Sequence, residues 1–138
     1  MGELRHVGNC VGCSQTNPSS LGVQVSVTPD GAEGRVRFSR DAEGAPGLVH
    51  GGLLATLADE VMGHVSHGGN AVRVTAEMTI RYLRPTPTET DLCCRASVVE
   101  ASGRRFRVRA IITTAGDEDE LELAAAQATY VVLRADDR

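Results

Sequence analysis

Lysine and tryptophan are both absent from the 138 residues, so all 14 positive charges are arginine. Without a lysine amine there is no Schiff-base nucleophile, and a Walker A phosphate loop cannot form. Aromatic rings are scarce as well, with only Phe38, Tyr82, Phe106 and Tyr130. At a formal net charge of -4, the chain lacks both the basic footprint that phosphates require and the rings that stack on bases. Nucleic acid is therefore set aside as a partner. Met1 to Cys10 carries charge and no apolar run, so no signal peptide or membrane span is read there. His6 also stands where a myristoylation pattern wants Ser or Thr, and the expected compartment is the cytoplasm, with no membrane partner.

Cysteine is confined to two close pairs, Cys10/Cys13 and Cys93/Cys94, which without a secretion signal are expected to be reduced thiols. Cys10-x-x-Cys13 lacks the second pair of ligands that a structural zinc site takes, even with His6 nearby, so no metal is expected.

Apolar residues, at 41%, together with 15 glycines reach the level of an ordinary globular protein. The length suits one domain that buries roughly two-thirds of its unfolded surface. Residues 1–20 form a polar segment ending in the turn signal Thr16-Asn17-Pro18-Ser19-Ser20, residues 21–134 the domain, and residues 135–138 a charged tail. Leu21 to Val27 alternates as a strand, Pro29-Asp30-Gly31 turns, and Gly34 to Phe38 reads as its hairpin partner. From Gly52 to Val65 the period becomes helical, with apolar residues over an arc of about 200°, so this helix is wrapped on most of its surface. His64 and His67 fall at its end, where they suit the negative end of the helix dipole.

Period two returns with Val72, Val74, Ala76, Met78, Ile80 and Tyr82 on one face, and Arg73, Thr75, Glu77, Thr79 and Arg81 on the other. Three more strands follow over Leu92 to Ala101, Arg104 to Thr114 and Glu120 to Leu133, with Gly116 to Asp119 an acidic loop, so the last four strands read as a meander. One helix enclosed by an antiparallel sheet of about six strands is an α+β hotdog architecture. An open sheet covers only part of its helix, so a homo-oligomer, a dimer or a dimer of dimers, is expected.

The chemistry concentrates in His50-Gly51-Gly52 and Asp59. Two glycines at a helix start let a ligand approach the backbone, and the first free N–H groups there suit a developing oxyanion. Gly51 and Asp59 are eight residues apart. At ~1.5 Å per residue that is ~12 Å along the helix, too far for both to meet one carbonyl group. Two helices paired antiparallel about a dyad would bring Asp59 of one to Gly51 of the other, giving two equivalent sites. Glu60 lies about 100° around the helix from Asp59, opposite the apolar arc, and is expected to be solvated or ion-paired.

His50-Gly51-Gly52, Asp59 nine residues after the His, and Tyr82-Leu83-Arg84-Pro85 closing a long strand resemble the PaaI-type hotdog acyl-CoA thioesterases. The resemblance covers roughly residues 44 to 133, and Cys10-x-x-Cys13 followed by Asn17-Pro18 is similar to a pattern in one branch of that family. It implies hydrolysis of an acyl-CoA ester to the free acid and coenzyme A, with no separate cofactor. It also implies that Asp59 is nucleophile or general base, that the Gly51 N–H holds the thioester oxygen, and that His50 orders the loop. Thr75 would hold the attacking water or the carboxylate. Glu43 to Gly47 carries no side-chain amide, where some relatives have one. Val49, Gly52, Arg81 and Arg84 are the expected substrate-binding residues. Arg104, Arg105 and Arg107 are further candidates for coenzyme A phosphates, weighed against a role as paired surface charges. A hotdog dehydratase would need a catalytic His in a different loop, and a non-catalytic acyl-CoA-binding module would not need Asp59.

Overall fold

The computed structural model describes residues 8–65, 71–116 and 120–137, so His6, His67 and most of the expected acidic loop lie outside the described residues. In chain order the elements are β1 (Gln24–Thr28), β2 (Gly31–Arg37), α1 (Gly51–Gly63), β3 (Arg73–Tyr82), β4 (Asp91–Ser102), β5 (Arg105–Thr114) and β6 (Glu122–Val132). Short 3-10 turns cover Arg40–Ala42 and Ala135–Asp137. The strands make one antiparallel sheet in the order β1-β2-β4-β5-β6-β3. The hotdog arrangement read from the sequence is present, with one correction. Only β4, β5 and β6 form a meander; β3 pairs with β6 and lies at the far edge. Periodicity identifies a strand but carries no information about which neighbour it chooses.

The sheet curls around α1 because the inward residues are matched in size to the helix. Leu57, Ala58, Val61 and Met62 are fully buried against Phe106, Val108, Ile112 and the alanines of β6. Ala124, Ala126 and Ala128 present only methyl groups, and Gly34 of β2 has no side chain where Val61 presses on the strand. Truncating Leu57 to Ala would cost about 2–5 kcal/mol, since nothing nearby can collapse into the space without distorting the sheet. Phe106 and Tyr130 stack with ring centroids 5.6 Å apart, so two of the four aromatic rings sit together at one end of the core.

Two further departures from the sequence reading affect function. The alternation of β3 is interrupted by a β-bulge at Ala76, where Thr75 pairs with Tyr130 and Glu77 with Thr129. The inserted residue reverses the facing of everything N-terminal to it. Val72 and Val74, which strict alternation puts on the face of Met78 and Ile80, are 45% and 41% exposed, whereas Arg73 turns inward, its Nη1 donating to the Gly63 carbonyl at 2.7 Å. Glu60 is the second departure. It is not solvated but only 7% exposed, because residues 10–14 fold over that side of α1. The backbone of that segment is tied to the chain leading into β1 by Leu21 N–H to the Val11 carbonyl and Val23 N–H to the Gly12 carbonyl. No helix among the described residues is long and apolar enough to cross a membrane.

Candidate active site

The start of α1 is fixed by its own sequence. His50, at φ -59° and ψ 132°, is the N-cap, and its Nδ1 accepts from the Gly52 N–H at 3.0 Å. The chain enters the helix clamped on both sides, with Val49 N–H donating to the Thr86 carbonyl and His50 N–H to the Ala42 carbonyl, each at 2.8 Å. Gly52 must be small because a Cβ there would press on the His50 ring at 3.2 Å. The next donor is left over. Gly51 N–H makes no hydrogen bond among the described residues, while the Gly51 carbonyl accepts from the Tyr82 hydroxyl at 2.8 Å. An unpaired N–H at the positive end of a 13-residue helix is suited to an oxygen gaining negative charge. Gly51 lines a cleft of about 670 Å³ together with Val49, His50, Leu54, Tyr82 and Arg84, among others.

Asp59 sits two turns further along the same helix and is half-buried. The bulge at Ala76 turns Thr75 toward the helix, and its hydroxyl donates to Asp59 Oδ1 at 2.7 Å. The Tyr130 hydroxyl lies 2.7 Å from the same oxygen and 3.0 Å from the Asp59 carbonyl. Burial, then the Asp59 charge, hold the Tyr130 phenol well above its usual range, so it remains a donor. With Oδ1 held by two hydroxyls, Oδ2 has no hydrogen bond among the described residues.

The expected site residues therefore fall into two groups in one chain. His50, Gly51, Val49 and Arg84 border the cleft, and Gly52 caps it indirectly through His50. Asp59 and Thr75 form a second group about 12 Å along the helix. Arg84 donates from Nη1 to the Glu122 carbonyl at 2.8 Å, which steadies it at the cleft rim. Arg81 stands elsewhere, on the outer sheet face beside Arg109 and Gln127. Arg104 ties the tail down through Asp137 at 2.5 Å, Arg107 pairs with Glu100 at 3.2 Å, and Arg105 is exposed. His64 does cap α1, its N–H reaching the Val61 and Met62 carbonyls, but its ring is buried. Tyr130 and Tyr82 were missed. A buried tyrosine seeks a partner for its hydroxyl, and Tyr130 in a strand of alanines was the available signal.

Comparison with known proteins settles the family. The model of the thioesterase superfamily matches residues 46–121, more than half of the chain. The chain belongs to that superfamily. It is similar to acyl-coenzyme A thioesterase THEM4 of Rattus norvegicus, 31% identical over 94 residues that cover 68% of this chain and 39% of the relative. The chain thus spans about two-fifths of the length of that relative. The conserved protein PA5202 of Pseudomonas aeruginosa is 30% identical, with a TM-score of 0.71 over 82% of this chain and 90% of that one. The PaaI protein of E. coli shares the fold at a TM-score of 0.74 over 83% of this chain and 81% of that one, at 19% identity. The chain shares its hotdog fold with these structures.

Proposed function

We propose that this thioesterase-superfamily member hydrolyses acyl-CoA thioesters in a homodimer whose two sites each combine Gly51 of one protomer with Asp59 of the other. The observation that carries the reading is the division of labour within one chain. A free N–H donor at a cleft and a carboxylate with one free oxygen lie too far apart to share a substrate, and a dyad joins them twice. β3 supplies a surface for the pairing, being a sheet edge with Val72, Val74 and Tyr82 exposed.

In this reading the thioester carbonyl oxygen accepts from Gly51 N–H, which favours negative charge there as the carbonyl carbon becomes tetrahedral. Asp59 Oδ2 of the partner either adds to that carbon or takes a proton from the water that does. The C–S bond then breaks, and the thiolate of coenzyme A leaves without a strong general acid, taking a proton afterwards from solvent. Where Asp59 has added, water then cleaves the acyl–Asp59 anhydride and restores the carboxylate; net, by either route, one water is consumed and one acid and one thiol are formed. His50 orders the loop, Thr75 and Tyr130 hold Asp59, and Arg84 offers its planar donors to the phosphates of coenzyme A. No cofactor is needed beyond the coenzyme A of the substrate. The four free thiols suit a reducing compartment, the cytoplasm.

The test is thiol release from short, long and aromatic acyl-CoA esters by wild type and Asp59→Asn. Wild type should turn over at least one class, and the variant should lose at least about 10²-fold while remaining folded and dimeric. Near-wild-type hydrolysis by Asp59→Asn contradicts the assignment. Tight binding of acyl-CoA with no turnover by wild type would favour the non-catalytic alternative.

A further inference from the structure

The arginines on the outer face of the sheet differ in one respect. Arg35, Arg37, Arg95 and Arg107 each lie within 3.5 Å of a carboxylate, supplied by Glu33, Asp91, Glu120 or Glu100. Arg81 of β3 and Arg109 of β5 are exposed on the same face, and neither has an ion pair or a side-chain hydrogen bond among the described residues. Both border one hollow of about 370 Å³, lined by Thr79, Arg81, Arg109, Ile111, Ala125 and Gln127, among others. The chemical step at Gly51 and Asp59 does not use it.

Strand register brings the two guanidiniums to one place. Along β6, Ala125 has Arg81 on one side and Ile111 on the other, and Gln127 has Thr79 and Arg109. Arg81 and Arg109 thus stand two strand spacings apart, about 10 Å, so that their long side chains can meet one anion over β6. No carboxylate lines the hollow among the described residues, and the pair is not neutralised there. Between the polar ends the floor is apolar, formed by the half-buried Ile111 and Ala125. Two planar donor forks beside an apolar floor suit a doubly charged phosphate monoester attached to a flat ring. A lone carboxylate would match only half of that charge.

The hollow and the cleft adjoin at the end of β3. Arg81 immediately precedes Tyr82, which lines the cleft, and Arg84 at the cleft rim follows within about 11 Å of chain. In an acyl-CoA ester the phosphate monoester sits on the ribose, next after the diphosphate. A substrate with its thioester at Gly51 and its diphosphate at Arg84 therefore carries its ribose past the end of β3 and onto the outer face. We propose that Arg81 and Arg109 form a subsite for the ribose phosphate monoester of coenzyme A, with the adenine lying on Ile111 and Ala125. The subsite rests on the acyl-CoA reading above and adds to it the part of the substrate farthest from the reacting bond. Arg81 and Arg109 are 28 residues apart and become neighbours only because β6 inserts between their strands.

The test compares an acyl-CoA ester with the same ester of dephospho-CoA, which keeps the diphosphate and lacks the monoester. Wild type is expected to show a KM at least about fivefold lower for the CoA ester, with kcat for the two within about twofold. Arg81→Ala/Arg109→Ala should raise KM for the CoA ester to the dephospho-CoA value and leave the dephospho-CoA ester within about twofold. The wild-type preference should also shrink as salt is added, since both charges are exposed. Arg35→Ala, which removes an outer-face arginine paired with Glu33, should keep the preference. Circular dichroism checks the fold of each variant, and Arg109→Gln alone should lose part of the preference. Equal KM for the two esters in wild type overturns the subsite and leaves acyl-CoA hydrolysis standing, as does a double variant that keeps the preference or weakens both esters alike. Wild type that hydrolyses neither ester is instead a failure of the catalytic reading. Calorimetric titration with CoA and dephospho-CoA then decides the subsite, and equal affinities overturn it.

Discussion

The Tyr130 hydroxyl and Asp59 Oδ1 are 2.7 Å apart although 71 residues separate them in sequence, and Thr75 donates to that same oxygen from the facing strand. A carboxylate held by two donors on one oxygen presents its other oxygen in a fixed direction. Orientation of this kind is where a hydrogen bond outside the reacting atoms acts on rate.

Tyr130→Phe removes the donor and keeps the ring that stacks on Phe106. The expected result is a fall in kcat of about tenfold to hundredfold with KM nearly unchanged. Steady-state kinetics on one good acyl-CoA ester checks it. A proportional rise in KM with unchanged kcat would mean that the hydroxyl serves binding rather than the chemical step.

Thr75 faces Asp59 on the same side of the sheet as Met78 and Ile80 because Ala76 is taken up as a bulge in β3. Thr75→Ser should keep activity within a few-fold, and Thr75→Ala should lose about tenfold or more. Deleting Ala76 removes the extra residue and leaves Thr75 opposite Tyr130, still facing the helix, so activity should survive the deletion within about tenfold. Kinetics together with circular dichroism separates loss of the site from loss of the fold.

His50 Nδ1 accepts from Gly52 N–H at 3.0 Å and caps α1. His50→Ala is expected to cost about 1 kcal/mol of stability, or about 3–5 °C in Tm. Activity should fall as well, because the same cap sets the position of Gly51. His50→Asn, which can accept the same bond, should restore most of the Tm.

Burial holds the Cys94 thiol up, to about 12 from an ordinary value of 9.0. A raised thiol favours the folded state while it stays protonated, so its contribution is complete below pH 9.0 and is lost as pH rises from there to about 12. Denaturant unfolding at pH 8 and pH 10.5 should show stability falling for wild type. The fall should be smaller for Cys94→Ala, which has a lower starting stability but no thiol to ionise.

Much of this molecule was legible from periodicity. The helix, the six strands and the hotdog wrap follow from where apolar residues recur, and Gly51 and Asp59 stand out as candidates because a short motif sits at a helix start. What periodicity could not carry was any relation between elements. Val72 and Val74 read as sharing a face with Met78 and Ile80 because alternation gives no notice of a bulge, and β3 read as the neighbour of β4 because adjacency in the chain is the default guess. Glu60 read as solvated because the helix wheel cannot know that residues 10–14 fold back over it. Tyr130 was passed over for the same reason, its partner being 71 residues away.

The central claim is that each site takes Gly51 from one protomer and Asp59 from the other, and complementation between two dead variants tests it most directly. Gly51→Pro removes the N–H with a residue suited to the first helical position, and the extended backbone of His50 accepts a following proline. Gly51→Pro and Asp59→Asn homodimers should each be inactive. After dissociation and reassociation of an equal mixture, half of the dimers are mixed and each holds one intact site, so activity should return to about one quarter of wild type. A mixture that stays inactive after subunit exchange has been demonstrated would contradict the shared site, as would a fully active monomer.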